Sequence, residues 1–245
     1  MERIIVVGDV HGCLEELDEL LKLVSFTQGR DRLIFAGDLV DRGPASAGVV
    51  ARVCELKAEC VMGNHDEWYV RKAKNLVTPN SKPMKPNPKK DAVFTQLSAE
   101  DLKWLSSLPY YIRLDPETVV VHAGLAPGVA MPHQRPSDML RMRYLERATG
   151  KMWNLGSATP MTPAVAAYWT EVWTGPEDVV YGHHPSKTDT VLTENNGVRC
   201  WGIDTGCCFG NKLTAWIRTG LDHVELVSVR AKAQYADWHH SLGSE

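Results

Sequence analysis

Five short stretches of this chain carry side chains suited to metal and phosphate chemistry. They are Gly8-Asp9-Val10-His11-Gly12, Gly37-Asp38-Leu39-Val40-Asp41-Arg42-Gly43, Gly63-Asn64-His65-Asp66, His122-Ala123-Gly124 and Gly182-His183-His184-Pro185. Six side chains within them could act as ligands: Asp9, His11, Asp38, Asn64, His122 and His183. A mixture of carboxylate, amide and imidazole suits manganese, iron or zinc better than calcium or magnesium, which prefer oxygen alone. Six donors exceed one tetrahedral site. They fit two ions sharing a carboxylate, ~3.5–4 Å apart. Taken singly, an Asp after a strand is usually a cap and a buried His usually a core residue. Five such stretches in one kind of context point instead to a site.

That context is a set of strand ends. Arg3 to Val7 is an apolar, β-branched run and reads as a buried strand, followed by helical spacing at Leu14, Leu17, Leu20, Leu21 and Val24. Leu33 to Ala36 and Glu59 to Met62 read as two more strands, each again followed by a helix, the first starting near Pro44 and the second running from Glu67 to Lys74. Strand, loop and helix recur three times, so an α/β layered fold is expected. Ser98 and Asp101 signal a helix start, and Asp115-Pro116-Glu117 a hairpin whose second strand delivers His122. Asp178 to Tyr181 is a strand that delivers His183. Strands near 189–193, 198–203, 213–218 and 223–228 follow, with a hairpin turn at Asn195-Asn196-Gly197, and suggest a second sheet packed on the first. Neighbouring strand ends lie ~5 Å apart, so ligands at several ends can converge.

Two segments break the pattern. Residues 77–91 are rich in Pro and Lys and read as an exposed loop that cannot hold a helix; it could form a basic lip that attracts an anionic substrate. Residues 125–177 hold many prolines together with Trp153, Trp169 and Trp173, and read as a cap over the cleft, with a helix from Ser137 through Arg147. The expected organisation is one domain over 1–230, including that cap, and a polar tail over 231–245.

Composition bounds the function. Hydrophobic residues make up 44% of the 245, enough for a core without disulfides. The net charge of -3 argues against a broad nucleic-acid-binding surface. No apolar run approaches the ~20 residues of a membrane span. The six cysteines form no CxxC pair and read as reduced, buried thiols, so a cytoplasmic protein is expected.

The ordered set GDVHG, GDLVDRG, GNHD, HAG and GHHP resembles the metallophosphoesterases of the phosphoprotein-phosphatase superfamily, over residues 8 to 185. GDLVDRGP and GNHD, with the later Gly202-Ile203-Asp204-Thr205-Gly206-Cys207, are similar to the bacterial-type branch that includes symmetrical diadenosine tetraphosphatases. The resemblance implies a calcineurin-like fold, a two-sheet β-sandwich flanked by helices in αββα layers. It implies two divalent ions, manganese first, with iron, zinc or cobalt also compatible. Asp9, His11 and Asp38 would hold one ion. Asp38 would bridge to the second, completed by Asn64, His122 and His183, with His184 a weaker alternative to His183. A hydroxide between the ions would attack phosphorus. His65 would protonate the leaving oxygen, and Asp41 would orient His65. Arg42 would hold phosphate oxygens, joined by a cap arginine, Arg143 before Arg141. Asp66 reads as a carboxylate at a helix N-terminus. The implied substrate is a dinucleoside polyphosphate, which gives ADP; Tyr144, Trp153, Trp169 and Trp173 are candidates to stack on its bases. A phosphoprotein is the alternative substrate.

Overall fold

The computed structural model describes residues 3–153, 160–220 and 223–238. Three strand-helix units open the chain: β1 (Arg3–Val7) with α1 (Leu14–Leu23), β2 (Asp31–Phe35) with α2 (Ser46–Glu55), and β3 (Glu59–Cys60) with α3 (Asn64–Val77). Next come α4 (Pro88–Phe94) and α5 (Ala99–Leu105), then the hairpin β4 (Tyr111–Arg113) and β5 (Thr118–Val121). The following segment contains α6 (Pro136–Arg141), β6 (Tyr144–Glu146), β7 (Ala166–Tyr168) and α7 (Trp169–Val172). β8 (Asp178–Tyr181), β9 (Val191–Asn195), β10 (Val198–Gly202), β11 (Lys212–Thr219) and β12 (His223–Arg230) complete the fold.

Two five-stranded sheets result, in the orders β12-β11-β1-β2-β3 and β4-β5-β8-β10-β9. In the first, β1, β2 and β3 run parallel; in the second, β5, β8 and β10 do. The period of two along β1 explains the layering. Ile4 and Val6 join Ile34, Val61, Val120, Val180 and Trp216 in a core between the sheets. Ile5 and Val7 point the other way, into a core shared with Leu17 and Leu20 of α1 and Val49 and Val53 of α2. On the outer face of the second sheet, Val119, Val121 and Tyr181 pack with Trp169 and Trp173. The layers are therefore helix, sheet, sheet, helix, as the family resemblance implies.

Several expectations need correction. The C-terminal hairpin of β11 and β12 does not extend the second sheet. β11 pairs antiparallel with β1, from Arg3↔Thr219 to Val7↔Ala215, and so completes the first sheet. Apolar alternation marks a strand but not which edge it joins. The helix expected to run from Ser137 to Arg147 ends at Arg141, because Tyr144 to Glu146 pair with Ala166 to Tyr168 instead. The Pro/Lys segment is not loop throughout. Pro88 sits in the first turn of α4, where its missing N–H costs nothing, and Asn87 caps the helix by accepting from Lys90 N at 3.2 Å. Two other local signals take the expected form. Ser98 and Asp101 form a reciprocal capping box, and Asn196 and Gly197, both with positive φ, join β9 to β10.

Residues Ala231–Trp238, read from the sequence as polar tail, fold back on α1. The Tyr235 hydroxyl donates to Glu16 Oε1 at 2.9 Å, and the Trp238 ring stacks on Phe209 at 4.7 Å. Residues 239–245 of that tail, and 154–159 of the cap segment, lie outside the described residues.

The parallel β1–β2 pair is pinned at its start. Arg3 donates to both oxygens of Asp31, at 3.2 and 2.8 Å, and Thr27 N donates to Oδ2 at 2.8 Å. Burial works against the Asp31 charge, but these donors and Arg30 outweigh it and hold the carboxyl below its usual range. A depressed carboxyl stabilises the fold above the unfolded pKa and loses that contribution as pH falls through the folded one. Asp31→Asn is therefore expected to cost about 1–3 kcal/mol at pH 7. The gap from wild type should narrow below pH ~4. Urea unfolding of the metal-free proteins at both pH values checks this; a gap independent of pH would remove the ion pair as its cause.

Candidate active site

The ends of β1, β2, β5 and β8, together with the residues after β3, open on the same edge of the two sheets. All six expected ligands arrive there buried: Asp9, His11, Asp38, Asn64, His122 and His183. Ligand atoms of Asp9, Asp38 and His122 lie within 4.8 Å of one another, and so do those of His11, Asp38 and His65. Asp38 belongs to both groups. It lies 3.5 Å from His11 Nε2 and 3.5 Å from His122 Nε2, both through Oδ2.

Backbone geometry brings them together at a conformational cost. Nine described non-glycine residues have positive φ, and five are His11, Asp38, Asp41, Arg42 and His183. Strain of this kind persists only where the surroundings hold it, and it concentrates at functional sites. Two glycines permit close approaches to ligand side chains. A Cβ on Gly63 would overlap Asp38, and one on Gly182 would overlap the Asp9 carboxylate.

The donor set fits metal ions, and the hydrogen bonds behind it show why. His122 Nδ1 lies 2.8 Å from Ala36 O and must donate to it. In the neutral ring that leaves the lone pair on Nε2, which lies 2.8 Å from Asn64 Oδ1 and faces Asp38. His11 repeats the arrangement: Nδ1 donates to Val40 O at 2.9 Å, and Nε2 faces Asp38. Outer carbonyls commonly fix the tautomer of a metal-ligating histidine in this way. Burial, and then the Arg42 charge, lower the His11 pKa to about 3, so its imidazole is neutral, the form that binds metal. Burial, then Asp204 and Asp38, push the Asp9 carboxyl well above its usual range. Acceptors and buried like charges converge, and a cation relieves both.

The remaining expected residues lie beside this cluster. His65 Nδ1 is 2.7 Å from Asp41 Oδ2, and His65 Nε2 is 3.0 Å from Arg42 Nη2. Arg143, buried in the cap, donates through Nε to His183 Nε2 at 3.1 Å. Arg141 instead pairs with Glu67 at 2.8 Å. His183 Nδ1 faces Asn64 Oδ1 at 2.9 Å, whereas His184 turns toward the rings of Tyr168 and Tyr144. Asp66 ties two site loops together, with Oδ2 accepting from Gly63 N and Oδ1 from Leu39 N.

One buried acid escaped the strand-end count. Asp204 raises the pKa of Asp9, and burial pushes its own pKa up to about 6. It follows β10 and the apolar Ile203, the same signal that marks the other ligands. The cap tryptophans need correction. Trp169 is 0% exposed and Trp173 1%, so neither can stack on a base. Tyr144 is half-buried at the site and packs against Tyr168, which no sequence signal marked.

Comparison with known proteins agrees with the geometry. The sequence profile of the calcineurin-like phosphoesterases matches residues 2–222. A symmetrical bis(5'-nucleosyl)-tetraphosphatase of Coxiella burnetii is 30% identical, with 86% of each chain covered. An asymmetrical bis(5'-nucleosyl)-tetraphosphatase of Anoxybacillus flavithermus is also 30% identical, over 94% of this chain and 95% of its own. A crystal structure described as a candidate diadenosine tetraphosphatase superposes with a TM-score of 0.75 at 32% identity, covering 94% of this chain and 93% of the other. A protein serine/threonine phosphatase of Saccharomyces cerevisiae, at 14% identity and a TM-score of 0.60, shares the fold. This chain belongs to the calcineurin-like phosphoesterase family, and its chemistry is that of a phosphoester or phosphoanhydride hydrolase.

Proposed function

We propose that the chain hydrolyses the phosphoanhydride chain of dinucleoside polyphosphates, cutting diadenosine tetraphosphate symmetrically into two ADP. The observation that carries this choice of substrate is the pair of relatives named for that class, at 30% identity over most of both chains. The cap adds support. Tyr144 follows Arg143 directly, and its ring forms an edge-on cluster with Tyr168 and His184. Phosphate and base could then be held by adjacent residues.

Asp9, His11 and Asp38 would hold one divalent cation, and Asp38, Asn64, His122 and His183 a second. Bound there, such ions, manganese foremost, would neutralise phosphate charge and supply a water acidic enough to ionise near neutrality. Arg42 and Arg143 flank the cluster and would grip phosphate oxygens with their planar forks. A phosphate within reach of Arg42 would draw its guanidinium from His65 Nε2 and leave that nitrogen facing the leaving oxygen. Freed of Arg42, Nε2 would take up a proton from water while Nδ1 keeps donating to Asp41, and His65 would then give that proton to the leaving oxygen. We read residues 125–177 as the cap of a single catalytic domain. Six cysteines without disulfides support a cytoplasmic setting.

The substrate is tested with the purified, manganese-loaded protein, offered diadenosine tetraphosphate and a phosphopeptide separately. Equal release of two ADP per substrate, at a far higher rate than peptide dephosphorylation, is expected. ATP with AMP would replace symmetrical by asymmetrical cleavage. Efficient peptide turnover without nucleotide cleavage would overturn the assignment in favour of a protein phosphatase.

A further inference from the structure

The Pro/Lys segment reaches the site by a route its composition does not announce. α4 is clamped to α3. Lys72 of α3 pairs with Asp91 of α4. The Trp68 ring lies under two ammonium groups, Lys72 at 5.3 Å and Lys90 at 5.1 Å from its centroid. The clamp brings Lys90 Nζ to 3.3 Å from Asp41 Oδ2. That same oxygen faces His65 Nδ1 at 2.7 Å, while Oδ1 accepts from Arg42 N at 2.9 Å. The side chains of the pair are 18% and 8% exposed, so water screens it weakly. Lys85 and Lys89, in the same segment, are exposed.

We propose that Lys90 is a positioning residue: its ammonium pins the Asp41 carboxylate in the rotamer that aims His65 at the leaving group. This rests on the reading of His65 as proton donor. Asp41 sits on a left-handed turn, with φ of 77°, and Lys90 and His65 both brace Oδ2. Burial opposes the Asp41 charge, yet the His65 bond and the His65 and Lys90 charges hold its carboxyl well below the usual range. α4 is thus more than a lip. A lip acts on approaching substrate through exposed charge; Lys90 is turned inward onto the residue that orients the acid.

The test uses the manganese-loaded full chain and two aryl phosphates. Phenyl phosphate has a poor leaving group that needs a proton; 2,4-dinitrophenyl phosphate leaves as a stable anion. Lys90→Met should lower kcat on phenyl phosphate by about tenfold and on the dinitrophenyl ester by no more than about twofold, part of the ~10²–10⁴ a general acid supplies. KM and metal content should stay as in wild type, and Lys90→Arg should recover most of the loss. His65→Asn, assayed alongside, should show the same bias on a larger scale. If His65→Asn lacks that bias, the reading of His65 as acid fails. If His65→Asn has it while Lys90→Met loses both substrates equally, or neither, the role of Lys90 is overturned. A KM increase shared with Lys89→Met also overturns it, in favour of a basic lip.

Discussion

Replacing Asp38 with Asn is expected to lower kcat/KM by roughly 10³-fold or more and to empty both cation positions together. The substitution is nearly isosteric. Its amide oxygen can still accept from His65 N, the 2.8 Å bond that Asp38 Oδ1 makes at the start of α3. What disappears is the charge at Oδ2, which faces His11 Nε2 and His122 Nε2 at equal distance. An amide NH₂ placed there would donate to one imidazole and occupy the lone pair that a cation needs. The metal-free variant should be no less stable than wild type, because Asp38 is among the charges that raise the Asp9 carboxyl. The stabilisation that added manganese gives wild type should vanish, since a ligand stabilises only in proportion to its binding. Elemental analysis and thermal melts with and without manganese read both effects. Loss of a single ion, with the other still tightly held, would defeat the bridging role and leave Asp38 a ligand of one site.

The six ligand candidates were legible because the fold exposes them through one local rule. Each follows an apolar strand by a few residues, and parallel strands put those ends on one edge. Asp204 obeys the rule too, after Ile203, but the strand it follows ends in none of the five motifs. Where the sequence misled, a tertiary contact decided. Pro88 signals a break by composition, yet at the first turn of a helix it is harmless, and the docking of Lys90 on Trp68 and of Asp91 on Lys72 holds α4 in place. Trp169 and Trp173 look like base platforms by type, but the outer face of the second sheet needs large apolar side chains and takes both. The partner of β11 was equally hidden. Its residues alternate as any half-buried strand does, and only the free edge of β1 determines where it docks. Composition gives the residues of the Lys90–Asp41 contact but not their meeting, 49 positions apart, which depends on α4 lying against α3.

His65→Asn is expected to reduce kcat by ~10²–10⁴-fold, or about 3–5 kcal/mol of transition-state stabilisation, while both metal ions stay bound. The second half of that statement separates two roles. His65 has a ring nitrogen close enough to His11 and Asp38 to serve as a ligand in principle. Its own contacts argue otherwise. Nδ1 is committed to Asp41 at 2.7 Å, and Nε2 points to the Arg42 guanidinium at 3.0 Å, where a bound phosphate would be gripped. The contribution of His65 to Asp38 is made by its backbone N–H, which the substitution keeps. A ligand lost would therefore show as a missing ion, and an acid lost as a slow enzyme with a full metal complement. The two can also be told apart by chemistry, because an acid matters most where the leaving group is poor. Asparagine cannot supply a proton, so the residual rate should depend more steeply on leaving-group basicity than the wild-type rate does. An unchanged rate would remove His65 from the reaction; a proportionate loss of metal and rate would recast it as a ligand and return Asp41 to the role of outer carboxylate.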